Sequence, residues 1–275
     1  MEDIEPTEHY VAQRYLHKPY LIEGLKFDLR VYVLLYGVDP LRIFIYQEGL
    51  CRLATDIYAP PVQSNLNNLF MHLTNYAINK NSNKFVFNHN DKADGVGHKR
   101  SLKWTMEFLK SQGENTERLW EEIKDVVIKT ICTVQPSLAH VYRTCRPEDV
   151  ENTYCFEVLG FDIFLDRKLK PWLLEVNHSP SFGTDSPLDQ KIKLSLLKDT
   201  FTLLNLSEKR KARSKETLQK ELEKRMFTGK SHKLSAEEKN MLKQESQSVR
   251  DKFELKHLGG YQLIFPPQKL IPRPA

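Results

Sequence analysis

Lys26, Asp28 and Arg30 alternate within the otherwise apolar run KFDLRVYVLLY. Residues two apart on a strand share a face, so this run predicts three charges side by side. Such a face is costly unless the charges pair with one another or meet a charged ligand. Two readings stand: a structural Lys–Asp–Arg ion network, or a strand facing phosphate, for which Lys and Arg are the usual donors. Asp162, Glu175 and Asn177 form a second set, in GFDIFLDRKLKPWLLEVN, where two apolar runs flank a turn. With the turn centred on Arg167 and Lys168, Leu165 faces Lys170 and Asp162 faces Leu173. Asp162, Glu175 and Asn177 then project from one side of the hairpin. Two carboxylates and an amide oxygen, flanked by Phe161, Ile163, Leu174 and Val176, are hard donors suited to magnesium. That ion takes few protein oxygens and leaves positions for phosphates and water. One extra residue in the turn would reverse the parity. The competing reading is a half-exposed strand with solvated polar residues.

Other polar residues carry less pattern. Thr74 and Asn75, in HLTNY, cap a helix or turn as readily as they touch a ligand. Arg52 follows the Glu48-Gly49 turn, and single arginines are mostly surface residues. His178, before Ser179 and Pro180, reads as a substrate contact or a hydrogen-bonding loop residue. His9, His17, His89 and His98 lack metal-like spacing, and no GxSxG, HExxH or P-loop motif occurs.

The elements that must position these residues are legible from periodicity. Residues 10–16 predict a short strand. FDLRVYVLLY and LRIFIYQEG, joined by Gly37-Val38-Asp39-Pro40, predict a hairpin. Residues 59–70 read as loop, and 80–100 as a polar, glycine-containing, mobile surface loop. Helices are predicted at 101–111 and 116–134, the second with Leu119, Ile123, Val126, Val127 and Ile131 at helical spacing. Another opens at Pro187 and runs to 206. The tail predicts one or two helices to Lys256, and the apolar end GGYQLIF is expected to pack back on the domain.

With 40% apolar and 28% charged residues in 275, the chain supports a packed core and excludes wholesale disorder. No apolar run approaches the roughly 18 residues of a membrane span, and the first residues lack a secretory pattern. Four cysteines without a CxxC pair favour a reduced intracellular protein. The net charge of +5 is unevenly placed. From Ser207 onward there are 17 Lys and Arg against 9 Asp and Glu, whereas the first 206 residues carry 24 against 27. The densest stretch, Ser207 to Lys233, would attract a polyanion or be a solvated helix of Glu–Lys pairs. Aromatic residues do not interleave this charge, which disfavours nucleic acid.

Several blocks in order give a more specific reading. QRYL (Gln13 to Leu16), KFDLRVYVL, PLRIFIYQEGLCRLAT, MHLTNYAINK, CFEVLGFDIFLDRKLKPWLLEVNHSPSF and TDSPLD together resemble the tubulin tyrosine ligase-like family of ATP-grasp ligases. WLLEVNHSPSF points to its polyglutamylase branch. The resemblance implies an α+β fold: residues 1–206 as the C-terminal half of an ATP-grasp ligase domain, an antiparallel sheet with packed helices. A basic helical extension, 207–275, would bind microtubules. It implies ATP and Mg2+ as cofactors, with Gln13, Arg14, Tyr15 and Leu16 at the adenine. Lys26, Phe27, Asp28, Thr74 and Asn75 would lie along ribose and phosphates, and Asp162, Glu175 and Asn177 would hold the metal. Arg52, Thr74, Tyr76 and Lys99 would grip the incoming amino acid, His178 would contact the acceptor chain, and Arg30 with Lys26 would act at the transferring phosphate. The implied activity is ATP-dependent addition of free L-glutamate to tubulin tails through an acylphosphate. A tubulin glycylase and an inactive microtubule-binding relative are the alternatives. The glycine-rich lobe of the ATP clamp is expected to lie outside this chain, leaving the chain alone inactive. A monomer of the cytoplasm and cytoskeleton is implied, at the cilium axoneme or basal body, without nucleic-acid or membrane partners.

Overall fold

The β-branched and aromatic residues of KFDLRVYVLLYGV and LRIFIYQEGLCRLATDI form two long antiparallel strands, β2 (Leu25–Val38) and β3 (Leu41–Ile57). In this computed structural model residues 12–89, 94–147, 149, 154–206 and 236–267 are described, with isolated positions 219, 223 and 226. Around the central hairpin lie β1 (Leu21–Ile22), β4 (Lys99–Ser101), β5 (Glu157–Leu165), β6 (Pro171–Asn177) and β7 (Tyr261–Phe265). The main path runs β4-β3-β2-β5-β6, with β1 on β2 and β7 on β3, and every pair is antiparallel. The helices are α1 (Leu69–His72), α2 (Tyr76–Asn79), α3 (Leu102–Ser111), α4 (Thr116–Cys145), α5 (Pro187–Leu204) and α6 (Ala236–Lys256). The fold is thus α+β with an antiparallel sheet.

Strand alternation gives the sheet two different faces. Leu29, Val31, Val33 and Leu35 point to one side, where Leu102 and Leu109 of α3 and Leu119, Ile123, Val127 and Ile131 of α4 cover them. Tyr32 and Leu34 point to the other, against Ile192, Leu196 and Leu203 of α5 and Tyr261 and Leu263 of β7. Lys26, Asp28 and Arg30 continue this second face past the end of its apolar cluster.

The β5–β6 hairpin departs from its expected register in an instructive way. Leu165 stands opposite Pro171 and Ile163 opposite Leu173, one residue further along β6 than a turn centred on Arg167 and Lys168 gives. That slip alone would turn Glu175 away from Asp162. A bulge between Ile163 and Asp162 takes up one extra residue, so Asp162 stands opposite Glu175 and Gly160 opposite Asn177. The turn reversed the parity and the bulge restored it.

Other expectations need correction. Residues 12–18 form no strand: the Tyr15 hydroxyl bonds Lys26 and His72, and the chain reaches β5 through a bridge of Pro19 to Asp166 and the Lys18 carbonyl, which accepts from the Arg167 amide. Helix α4 runs past 134 to Cys145 despite Pro136, because Ala139 is buried and Gln135 and Arg143 bind Val38 and Asp39 at the β2–β3 turn. The loop 80–98 is tied across itself by Val86 and His98, and its end is β4, a strand its polar composition concealed. The C-terminal apolar end does pack back, as β7 on β3. Helix α6 docks beside it: fully buried Arg42 of β3 pairs with Asp251 at 2.7 Å and with Glu254. Residue 206 therefore marks where the charge changes, not where the fold ends, and the last quarter is not helical throughout. Most of the basic stretch 207–233 lies outside the described residues. No helix among the described residues is long and apolar enough to cross a membrane.

Candidate active site

A row of charges crosses five strands on the face of the sheet that carries Asp28 and Arg30. Lys99 of β4 stands opposite Arg52 of β3, and Arg52 opposite Asp28 of β2. One step along, Arg30 stands opposite Asp162 of β5, and Asp162 opposite Glu175 of β6. The sheet itself therefore assembles residues scattered from Asp28 to Glu175.

Contacts within the row are short and mutual. Arg52 binds Asp28 through Nε and Nη2 at 2.7 and 2.6 Å, and Nη2 also reaches Asp162 at 2.8 Å. Arg30 donates to both oxygens of Asp162, at 2.5 and 2.9 Å. Thr74 donates its hydroxyl to Asp28 at 2.5 Å. Burial pushes the Asp162 carboxyl up, but Arg30 and Arg52 outweigh it and hold it below the ordinary carboxylate range. Burial likewise disfavours the Arg52 charge, and Asp28 and Asp162 more than restore it. Gly160 makes room for this arrangement: a Cβ there would lie 3.1 Å from both Arg30 Cδ and Pro180 Cβ.

Lys26 is held differently. Its Nζ donates to the His72 carbonyl at 2.7 Å and to the Tyr15 hydroxyl at 3.2 Å. His72 in turn bonds Tyr15 through Nδ1 and the Asn65 carbonyl through Nε2, both at 3.0 Å. Burial pushes Lys26 down to about 8, with only Asp28 opposing. Among the described residues this ammonium has no carboxylate hydrogen-bond partner, which suits it to an incoming anion.

Lys99 lies 3.7 Å above the Tyr76 ring and pairs with Asp189 of α5 at 2.6 Å. Two of the four candidates for gripping an amino acid, Lys99 and Tyr76, thus touch each other. Asn79, buried, fixes the segment that carries Thr74 and Tyr76: its amide binds Thr55 of β3 and the carbonyls of Leu73 and Asn75. The remaining candidates are more peripheral. Asn75 is exposed and its side chain does not cap α2. Gln13 and Arg14 are exposed and Leu16 is half-buried. His178 is exposed in the bend after β6. Phe27 points to the opposite face and is buried in the core, which leaves only its backbone for a ligand.

Asn177 lies 3.2 Å from Glu175 and 3.4 Å from Asp162 through its amide nitrogen. Turning the amide over places its oxygen at the same point. Among the described residues Asp162 Oδ1 accepts only from Arg30 and so keeps a lone pair. Two carboxylates and an amide oxygen on one face fit a hard cation that retains several other ligands.

His72, Gly160, Asn79 and Asp189 were missed by motif reasoning. Gly160 alone left a signal, since a glycine inside an apolar strand marks close approach by another group.

A family model described as "Tubulin-tyrosine ligase family" matches residues 1–213. The chain is 51% identical over 266 residues to a probable beta-tubulin polyglutamylase of Tetrahymena thermophila, covering 97% of this chain and 22% of the relative. It is 45% identical over 265 residues to tubulin polyglutamylase ttll6 of Danio rerio, covering 96% and 33%. It is 41% identical over 288 residues to tubulin polyglutamylase TTLL7 of Xenopus tropicalis, covering 97% and 31%. The chain therefore spans 22% to 33% of the length of these relatives.

Proposed function

The chain belongs to the tubulin-tyrosine ligase family, and from that premise we propose that it carries the C-terminal portion of an ATP-grasp domain that adds glutamate to tubulin tails. The observation that carries this reading is the charge row from Lys99 to Glu175, ending where two carboxylates and an amide converge. The names of the relatives support glutamate rather than glycine as the donor amino acid.

A carboxylate acylates an amine only after activation. The γ-phosphoryl group of ATP passes to the acceptor glutamate side chain, giving an acylphosphate and ADP. The amine of free glutamate attacks that carbonyl, an isopeptide bond forms, and phosphate leaves with the proton balance restored to solvent. Such chemistry needs positioning and charge neutralisation rather than a protein nucleophile. Lys26 donates to the nucleotide phosphates, and Tyr15 and its neighbours Gln13, Arg14 and Leu16 border the adenine. Asp28, Thr74 and Asn75 lie along ribose and phosphates. Arg30 faces the transferring phosphoryl group. Arg52, Thr74, Tyr76 and Lys99 orient the incoming glutamate, and exposed His178 meets the acceptor chain. Asp162, Glu175 and Asn177 would hold magnesium, which when bound neutralises phosphate charge. Arg30 and Arg52 keep Asp162 ionised and aimed for that role. The basic stretch 207–233 attracts the acidic tubulin tail, which supports a location on the cytoskeleton, the axoneme and basal body being the tubulin structures proposed.

Mass spectrometry of tubulin incubated with the full-length protein, ATP, magnesium and one amino acid at a time tests the proposal. Mass increments of glutamate are expected, and Glu175→Gln should abolish them while microtubule co-sedimentation persists. Glycine increments would instead make it a glycylase. Co-sedimentation without any transfer would leave a docking protein.

A further inference from the structure

We propose that Asp189 is a positioning residue for amino-acid binding: it holds the Lys99 ammonium in place against the positive end of helix α5. This rests on the reading of Lys99 as a contact of the incoming glutamate, and assigns a role to a residue outside that contact set.

Asp189 is fully buried at the third position of α5. Ser186, the N-cap, accepts from the Asp189 amide at 3.1 Å and donates its hydroxyl to Asp189 Oδ2 at 2.7 Å. In an ordinary capping box the acid turns back to the cap. Here it also faces outward to two ammonium groups, Lys99 at 2.6 Å and Lys193 at 2.9 Å. Lys193 is anchored besides on the Gly183 carbonyl at 2.5 Å. A helix N-terminus repels cations, so neither lysine would approach this one without the carboxylate between them.

The surroundings of Lys99 are otherwise mixed. Tyr76 of α2 lies beneath it, Arg52 stands opposite on β3, Lys193 adds a like charge from α5, and Asp185 acts from the loop before that helix. Burial pulls the Lys99 proton affinity down and Asp189 is the largest influence opposing it. Burial pushes the Asp189 carboxyl up, but Lys99, Lys193 and Ser186 hold it below the ordinary range. Removing the Asp189 charge leaves Lys99 beside a second ammonium and a helix dipole, so it both swings away and loses its proton at lower pH.

The test is steady-state kinetics of Asp189→Asn in the full-length protein, with nucleotide saturating so that bound phosphate keeps Lys26 protonated. The expected result is a rise in KM for glutamate of roughly tenfold or more, with kcat less affected. The alkaline limb of kcat/KM for glutamate should move to lower pH. Ser186→Ala removes the cap but keeps the charge, and should lower Tm without moving that limb. If Asp189→Asn folds poorly, Asp189→Asn with Lys193→Met removes the acid and one ammonium together, and the limb should still shift. An unmoved limb and unchanged KM in whichever variant folds would overturn the proposal. Lys99→Met separates the two ideas: unchanged glutamate KM in that variant would sink the Lys99 contact itself.

Discussion

Lys26 shows how much one side chain can report. Its ammonium is buried, donates to a carbonyl and a phenol, and titrates at about 8 rather than the ordinary 10.5. The sign of the linkage follows from that depression. Below about pH 8 the lysine is charged in both folded and unfolded chains, and the full cost of burying the charge is present. Between there and 10.5 the unfolded chain binds the proton more tightly, so stability contributed by this residue rises with pH across that window. A nucleotide phosphate beside Nζ reverses the depression. Nucleotide binding at about pH 8.5 should therefore take up part of a proton. Calorimetry in two buffers of different ionisation enthalpy measures it, and Lys26→Met should bind more weakly and take up none. Equal enthalpies in both buffers for the unsubstituted protein would remove Lys26 from the phosphate site. The choice left open by KFDLR also resolves at this scale. Asp28 and Arg30 belong to an ion network, with Arg52 and Asp162, while among the described residues Lys26 stands apart with no carboxylate in its hydrogen bonds.

At the level of elements, the docking of α6 on β3 carries a clear energetic statement. Arg42 is 1% exposed, and its partners Asp251 and Glu254 sit 9% and 1% exposed. Arg42→Met would leave Asp251 buried without its cation and Glu254 with Arg250 alone, a loss of about 3–5 kcal/mol. Chemical denaturation should show it as a lowered midpoint, and Arg42→Lys should recover only part, because one ammonium cannot fork to both carboxylates. The hairpins were legible in the chain because apolar alternation around a turn is a local signal. The exact register was not: it depended on a turn one residue longer than expected and on a bulge that cancels it, and neither leaves a mark in LDRKLKPWLLEVN. The convergence of Asp162 with Glu175 was thus foreseen through a pairing that does not occur. Of the strand expected at 10–16, the described residues 12–16 form none for a related reason, since Tyr15 finds its partners 11 and 57 residues away. Asp189 is merely an acid in the first turn of the helix that SPLD opens, and its partner Lys99 lies 90 residues earlier.

For the molecule as a whole, charge is segregated: the positive excess falls after residue 206, and the charge row lies on the sheet before it. Attraction of such a segment to an acidic surface is long-range and screened. Raising ionic strength from about 0.01 to about 0.15 M shortens the Debye length from about 30 to about 8 Å. Co-sedimentation with microtubules should weaken severalfold over that range, whereas nucleotide affinity at the partly buried Lys26 should change less. Salt-independent co-sedimentation would take the basic stretch out of the tubulin contact.

The return of the chain as β7 has a practical consequence for anyone who cuts it. Ile43, Phe44 and Ile45 find their outer neighbour in residues that lie beyond the cationic stretch. A stop codon placed to delete the charge would also leave a bare, oily strand margin, the kind of border on which other chains polymerise. Neutralising the lysines one by one keeps that border sealed, so only such variants can separate a lost grip from a sticky, misassembled protein.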